Sequence, residues 1–209
     1  MKLLLHVCCA PCSVMCIETL KGEGIEPELY WYNPNIHPFT EYKSRRDCLA
    51  AYAKNLGLAL VMEDEYGLKD FITGLQFRNA APRPDPFEFP GRCAFCYRLR
   101  LENAARAAAE RGAGAFSTSL LISPYQDHEL IKETALAAAR RCGVEFLYRD
   151  FRPFFREGQA KARAADCYMQ KYCGCVFSEE ERCRPSARYR DRAATAAPKS
   201  EACSTGVIT

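Results

Sequence analysis

The sequence predicts a single α/β domain in which a mostly parallel sheet is covered by helices. Short apolar runs alternate with segments of helical periodicity, and turn-forming residues separate them. At 209 residues and 48% hydrophobic content, the chain is long enough for one buried core but short for two. Alternating strands and helices favour parallel pairing, because parallel strands need a crossover that is usually helical.

The elements of the first half follow from apolar periodicity. In chain order, the predicted elements are strand 2–7, a helix capped by Ser13, strand 27–32, helix 41–56, strand 58–62 and helix 68–75. The frequent prolines between residues 79 and 91 predict a loop, because proline disrupts both helices and central strands.

The second half continues the alternation. A helix is predicted over 94–111, ending at Gly112, and the run AFSTSLLI over 115–122 predicts a buried strand. A helix over 127–141 with Asp127 as its cap and a strand over 144–148 follow. Beyond residue 183 periodicity ends, so we expect one folded domain over 1–183 and a disordered tail over 184–209.

Charge and cysteine content narrow the class of protein without assigning it a partner. A net charge of +3 is too mild to indicate a nucleic-acid partner alone. The thirteen cysteines are an odd number, the residues before them do not predict a secretory signal, and a domain of this length needs no disulfides. We therefore expect a cytoplasmic protein with free thiols, and the lack of an 18-residue apolar stretch predicts no membrane span.

Two pairs of cysteines predict a metal centre. Cys93 and Cys96 stand three residues apart at the start of a predicted helix, whose positive end favours thiolate. Cys8 and Cys9 follow the first predicted strand, at the sheet edge where ligands bind in such folds. The spacing is consistent with a zinc site and with a 4Fe-4S cluster, although adjacent cysteines are untypical of structural zinc sites. Cys12 is equally consistent with a ligand and with a small residue of the helix.

A third pair, Cys173 and Cys175, is separated by a single glycine. Gly174 gives the backbone freedom to bring the two sulfurs together. A strained disulfide there would be easily reduced, which is typical of an electron relay. The alternative interpretation is two further metal ligands.

Basic and aromatic residues alternate between residues 140 and 171, as in Arg152, Phe154, Phe155 and Arg156. Arginines neutralise phosphates and aromatic rings stack on unpaired bases, so this stretch is consistent with binding a single-stranded RNA loop. A solvated basic face is the other interpretation. The chain has neither a G-x-x-x-x-G-K-S/T nor a G-x-G-x-x-G motif, so neither nucleotide hydrolysis nor a nicotinamide cofactor is indicated.

Six blocks then follow one another along residues 2–178: HVCCAPCS, YNPNIHP, CAFCYRLRLE, STSLLISPYQDHELIKE, FLYRDFR and QKYCGCVFS. In order and spacing they resemble the cobalamin-independent epoxyqueuosine reductases, the QueH family. Six matches in order are more specific than any one motif. The resemblance implies a fold like that of the adenine nucleotide alpha-hydrolase-like (HUP) enzymes, with cysteines replacing the phosphate loop after the first strand.

The resemblance also implies an activity and its parts. The activity is an oxidoreductase reaction, the last step of queuosine biosynthesis, in which epoxyqueuosine at the wobble position of transfer RNA loses its epoxide oxygen as water. Two electrons and two protons are required, and an external donor must supply the electrons. By matching positions, Cys8, Cys9, Cys93 and Cys96 are expected to bind a 4Fe-4S cluster.

Two further assignments come with the same resemblance. Cys173 and Cys175 are expected to form a redox-active pair, and Cys12 to bind an additional iron or other metal ion beside the cluster. The alternatives are a transfer-RNA thiolation enzyme, whose usual S-G-G-x-D-S loop is absent here, and a zinc-stabilised RNA-binding module.

Overall fold

The computed structural model describes residues 2–77 and 91–184, and five strands within them pair in parallel into one sheet. The strands are β1 (Leu3–His6), β2 (Pro27–Trp31), β3 (Leu60–Met62), β4 (Ala115–Thr118) and β5 (Glu145–Phe146). Their order across the sheet is β3-β2-β1-β4-β5, so the first strand of the chain lies at the centre.

Seven α-helices within the described residues connect or follow these strands. They are α1 (Ala10–Gly22), α2 (Phe39–Asn55), α3 (Leu68–Phe77), α4 (Gly91–Glu110), α5 (His128–Cys142), α6 (Phe155–Ala164) and α7 (Val176–Cys183). The most extensive helix packing joins α4 to α5 and α1 to α6. The predicted α/β class with a parallel sheet is therefore confirmed. None of these helices is both long and apolar enough to cross a membrane.

The core is centred on β1. Leu3, Leu4 and Leu5 are completely buried, and Leu5 lies in register with Leu29 of β2 and Ser117 of β4. Burying each leucine contributes about 1.5–3 kcal/mol, so this four-residue strand is strongly fixed by its neighbours. A strand that is buried on both faces has a continuous apolar sequence, which is why β1 could be predicted from the sequence.

The carboxyl ends of three adjacent strands meet at one edge of the sheet. His6, the last residue of β1, pairs with Tyr30 of β2 and Thr118 of β4. The segments that follow these strands therefore emerge side by side. This edge brings the Cys8–Cys12 region, the loop over 33–38 and the segment after β4 together.

The predicted strand over 115–122 is wrong in its second half. Only Ala115–Thr118 is a strand, and Ser119–Ile122 forms a 3-10 helix. The Thr118 hydroxyl accepts a hydrogen bond from the Leu120 backbone N–H and so caps this turn. Threonine and serine side chains compete with strand pairing in this way, which a count of apolar residues does not reveal.

The sequence did not predict the helices α6 and α7. The residues that α6 buries are Gly158 and Ala162, which are too small to give a clear apolar period. Ser13 is not the cap of α1, since the helix begins at Ala10 and the Ser13 hydroxyl donates to the Ala10 carbonyl within it. The predicted loop over 79–91 lies outside the described residues except for Gly91, as does the predicted tail except for Arg184.

Candidate metal and redox centre

Three cysteines converge at the start of α1. Cys9 is the residue before the helix, and Pro11 lies in the first turn, where no backbone N–H donor is needed. The sulfurs of Cys8, Cys9 and Cys12 all lie within 4.8 Å of one another, and all three residues are buried. The sequence predicted Cys8 and Cys9 as one ligand pair and Cys12 as the ligand of an additional metal ion beside them, and the structure brings the three sulfurs together.

The electrostatics of this trio favour one negative charge on Cys8. The thiols of Cys12 and Cys9 hydrogen-bond to the Cys8 sulfur and lower the pKa of Cys8 well below its ordinary value. The Ser119 hydroxyl also donates to this sulfur, at 3.6 Å. Burial raises the pKa of Cys9. The pKa of Cys12 is raised by the hydrogen bond between the Cys12 thiol and the Cys8 sulfur. The arrangement therefore favours a thiolate on Cys8 over thiolates on Cys9 and Cys12, and a metal ion bound by the three sulfurs would displace the remaining protons.

Cys93 and Cys96 lie in the first two turns of α4. Burial raises the pKa of Cys93 to about 11 and raises that of Cys96 further. Burial of these two thiols therefore opposes the thiolate form that their position at the start of the helix favours. Among the described residues, these two sulfurs lie outside the 4.8 Å group of Cys8, Cys9 and Cys12.

Two adjoining cavities connect the cysteine groups. The first cavity, of about 440 Å³, is lined by Cys8, Cys12 and Cys173, and the second, of about 420 Å³, by Cys93, Cys96 and Cys173 among others. Cys173 thus borders both. The donor atoms are all thiol sulfurs, which are the ligands of iron–sulfur clusters and of many zinc sites.

The Cys173–Cys175 segment holds two free thiols, with Cys173 exposed and Cys175 buried. Between them Gly174 has a φ of +142°, a backbone conformation that residues with a side chain rarely adopt. The Gly174 carbonyl accepts a hydrogen bond from the His37 backbone N–H at 2.7 Å. The loop over 33–38 therefore fixes the position of this segment.

A buried ion pair also holds this segment, and sequence reasoning missed it. The Arg45 guanidinium pairs with the Glu41 carboxylate at 2.7 Å and is only 1% exposed. It donates two further hydrogen bonds, to the carbonyls of Cys173 and Tyr172, each at 2.9 Å. Glutamate and arginine four residues apart on a helix usually form a surface pair, so nothing local distinguished this one.

Arg100 is a second buried arginine that sequence reasoning missed. It lies on α4 one turn after Cys96, and its Nε donates to the Cys96 carbonyl at 3.3 Å. Burial would lower the pKa of Arg100, but the thiolate forms of Cys96 and Cys173, with other ionised neighbours, outweigh burial and raise the pKa. The side chain lines the second cavity beside the cysteines.

The three histidines have structural partners. The ring nitrogens of His6 contact the Thr118 hydroxyl at 2.9 Å and the Tyr32 carbonyl at 3.2 Å, and burial lowers the pKa of His6 to about 4. The side chain of His37 contacts the Pro34 carbonyl, and that of His128 contacts the Ser123 carbonyl. The Asp127 side chain accepts from the Leu130 N–H, which confirms the predicted cap of α5.

The rim of the first cavity is aromatic and amide-rich. Tyr125 is 83% exposed and meets Phe155 edge to face, with ring centroids 6.0 Å apart. The Tyr97 hydroxyl donates to Gln126 Oε1 at 2.7 Å, and Gln126 Nε2 lies 3.5 Å from the Cys173 sulfur. This chain of contacts orients the Gln126 amide toward the cysteines.

The basic residues between 140 and 171 are only partly available to a partner. Arg149 pairs with Glu23 at 3.1 Å, Arg152 with Asp150 at 2.6 Å, and Lys161 with Glu18 and Glu157. These pairs lie at the surface, where each contributes little to stability and can be exchanged for phosphate contacts.

Replacing Gly174 with alanine is expected to reduce the free energy of unfolding by about 1–3 kcal/mol, because the φ of residue 174 is positive and its neighbours leave little space for a Cβ atom. A Cβ there would lie 3.1 Å from Ile36 and 3.3 Å from the Arg45 guanidinium. Urea unfolding measures the effect. Gly114→Ala is the matched control, since nothing lies within 4 Å of its Cβ position. Equal stability of the two variants would contradict the prediction.

Comparisons with known proteins give one consistent result. A sequence model of the family described as epoxyqueuosine reductase QueH matches residues 3–181. An epoxyqueuosine reductase QueH of Dehalococcoides mccartyi is 39% identical over 181 residues, covering 87% of this chain and 94% of that protein. The QueH of Thermotoga maritima is 34% identical, covering 86% of this chain and 91% of that protein.

A solved structure was also found. It is described as a predicted subunit of a transfer-RNA methyltransferase from Methanocaldococcus jannaschii, and it aligns with a TM-score of 0.45 at 16% identity. The alignment covers 76% of this chain and 74% of that one.

Proposed function

The chain belongs to the epoxyqueuosine reductase QueH family, and from this we propose that it reduces the epoxide of epoxyqueuosine in transfer RNA to give queuosine. Both bonds to the epoxide oxygen break, a carbon–carbon double bond forms, and the oxygen leaves as water. The observation that carries the proposal is the group of three buried sulfurs, because two of these cysteines, Cys8 and Cys12, line a cavity with an aromatic rim. A transfer-RNA substrate and free thiols suit the reducing cytoplasm, where we place the reaction.

We assign the cluster ligands to Cys8, Cys9, Cys93 and Cys96, within a catalytic domain over 1–183. Supporting this, the donors are exclusively thiols: Cys8 lines the first cavity, Cys93 and Cys96 line the second, and the Cys9 sulfur lies within 4.8 Å of the Cys8 sulfur. When bound, a 4Fe-4S cluster supplies electrons singly. Cys12 is the residue we assign to an additional metal ion, because its sulfur shares the group of Cys8 and Cys9. Gln170 Nε2 contacts the Cys12 sulfur at 3.2 Å and orients it.

The substrate base is proposed to enter the first cavity. Tyr125 and Phe155 at the rim provide faces on which a base extruded from the anticodon loop can stack. The Gln126 and Gln159 amides line the same cavity and supply donors and acceptors for the edge of the base. Exposed basic side chains near α6 can then contact the RNA backbone.

The Cys173 and Cys175 thiols are proposed as the redox-active pair. Their oxidation to a disulfide releases two electrons and two protons, which is what removal of the epoxide oxygen as water requires. Cys173 borders both cavities, so it lies between the proposed ligand Cys93 and the proposed substrate position. An external reductant must convert the disulfide back to the dithiol after each turnover.

The test is anaerobic purification followed by visible spectroscopy with iron and sulfide analysis, before and after dithionite. We expect a brown protein with about four irons per chain that bleaches on reduction. It should convert epoxyqueuosine to queuosine in transfer RNA, detected by mass spectrometry of the nucleosides. A colourless protein with stoichiometric zinc and no conversion would instead favour an RNA-binding module. Sulfur retained on the product nucleoside would favour thiolation.

A further inference from the structure

Arg100 differs from the other buried arginines in lacking a carboxylate partner. Arg45 pairs with Glu41, and Arg92 pairs with Glu181 at 2.6 Å. Within residues 2–77 and 91–184, no carboxylate lies within 4.0 Å of the Arg100 guanidinium, which is 1% exposed. Its Nη2 atom is buried without a hydrogen-bond partner.

A buried positive charge of this kind needs an anion. Removing a guanidinium from water is unfavourable unless an opposite charge and hydrogen-bond acceptors replace the lost solvation. The groups around Arg100 in the second cavity include Cys93, Cys96 and Cys173, whose sulfurs become negative when they bind a metal. Four thiolates give a bound 4Fe-4S cluster a net negative charge, and each electron that it accepts adds another.

We propose that Arg100 is the counter-charge of the bound cluster and that it raises the cluster's reduction potential. This inference rests on the cluster of the proposed function. A nearby fixed positive charge stabilises the reduced state more than the oxidised state, because the reduced state carries one more negative charge. Net charge and hydrogen bonds to the sulfurs are among the factors that determine the reduction potential of an iron–sulfur cluster. Arg100 is therefore a positioning and tuning residue, outside the set that we assign as ligands.

The test compares Arg100→Met, which removes the charge, with Arg100→Lys, which keeps it, in anaerobically purified cluster-containing protein. Redox titration followed by electron paramagnetic resonance measures the midpoint potential. We expect Arg100→Met to lower the equilibrium constant for one-electron reduction by at least about tenfold, equivalent to a potential about 59 mV more negative. Arg100→Lys should lie closer to the wild type. The matched control is Arg106→Met on the same helix, whose side chain is 59% exposed, and it should leave the potential unchanged.

A second readout uses the metal-free protein. Without the cluster, Arg100 is an uncompensated buried charge, so metal-free Arg100→Met should be at least as stable as the metal-free wild type in urea. An unstable or unfolded Arg100→Met would show a purely structural role and overturn the inference. Loss of the cluster from folded Arg100→Met with retention in Arg100→Lys would support it, and equal loss from both would overturn it.

The remaining outcomes separate this inference from the proposed function. A full cluster in Arg100→Met with an unchanged potential would overturn the tuning role of Arg100 and leave the reductase assignment standing. A wild-type protein that binds no iron would overturn the cluster itself, and with it both proposals.

Discussion

Replacing Cys93 with alanine is expected to abolish epoxide reduction and to lower the iron content from about four per chain to less than one, because Cys93 is one of the four thiolate ligands that we assign to the 4Fe-4S cluster. Cys93 is half-buried and lines the second cavity beside Cys96 and Cys173. The measurements are iron and sulfide analysis, the visible spectrum, and conversion of epoxyqueuosine in transfer RNA. Removing one small side chain at this position should leave the metal-free fold intact, as circular dichroism would show.

Cys142→Ala provides the matched control for this experiment. Cys142 is the last residue of α5 and belongs to neither cavity, so its replacement should leave both iron content and turnover unchanged. Full turnover by Cys93→Ala without a cluster would contradict the proposed chemistry. An intact cluster in Cys93→Ala would mean that another residue takes the ligand position that we assign to Cys93.

The central strand and the position of the first cysteines were predictable from the sequence for a physical reason. β1 is buried completely, so its residues form a continuous apolar run that ends where the polar and cysteine residues begin. Parallel strands present their carboxyl ends at one edge of the sheet, so Cys8 and Cys9, which follow β1, are expected at this edge from the sequence alone. Asp127 at the start of α5 and Gly143 at its end, with φ of +69°, are likewise local signals.

The supporting network could not be predicted because its signals are not local. Arg45 and Arg100 lie four residues after Glu41 and Cys96, a spacing typical of ordinary helix surfaces. Their burial depends on which elements cover them, and for Arg45 this is the segment over 172–174, more than a hundred residues away in sequence. The ligand set stays a prediction, because sequence spacing does not distinguish zinc from an iron–sulfur cluster.

Arg45→Met is expected to lower the free energy of unfolding by about 3–5 kcal/mol, because it leaves the Glu41 carboxylate buried without its counter-ion. It also removes the donors to the carbonyls of Tyr172 and Cys173, so the Cys173–Cys175 segment loses an anchor. Urea unfolding reports the first effect. The second should appear as faster alkylation of the Cys173 thiol and as reduced turnover.

Three variants distinguish loss of the ion pair from loss of the anchor. Arg46→Met, at the next position, breaks exposed pairs with Asp47 and Asp64 and should cost about 1 kcal/mol or less. Arg45→Lys keeps the positive charge but lacks the planar guanidinium that reaches two carbonyls. Relative to Arg45→Met, it should therefore restore more of the stability than of the turnover. Glu41→Met combined with Arg45→Met removes both buried charges, so stability should return while turnover stays low. Recovery of turnover in this double variant would show that Arg45 acts only by neutralising Glu41, and that the proposed redox pair needs no anchor from its guanidinium.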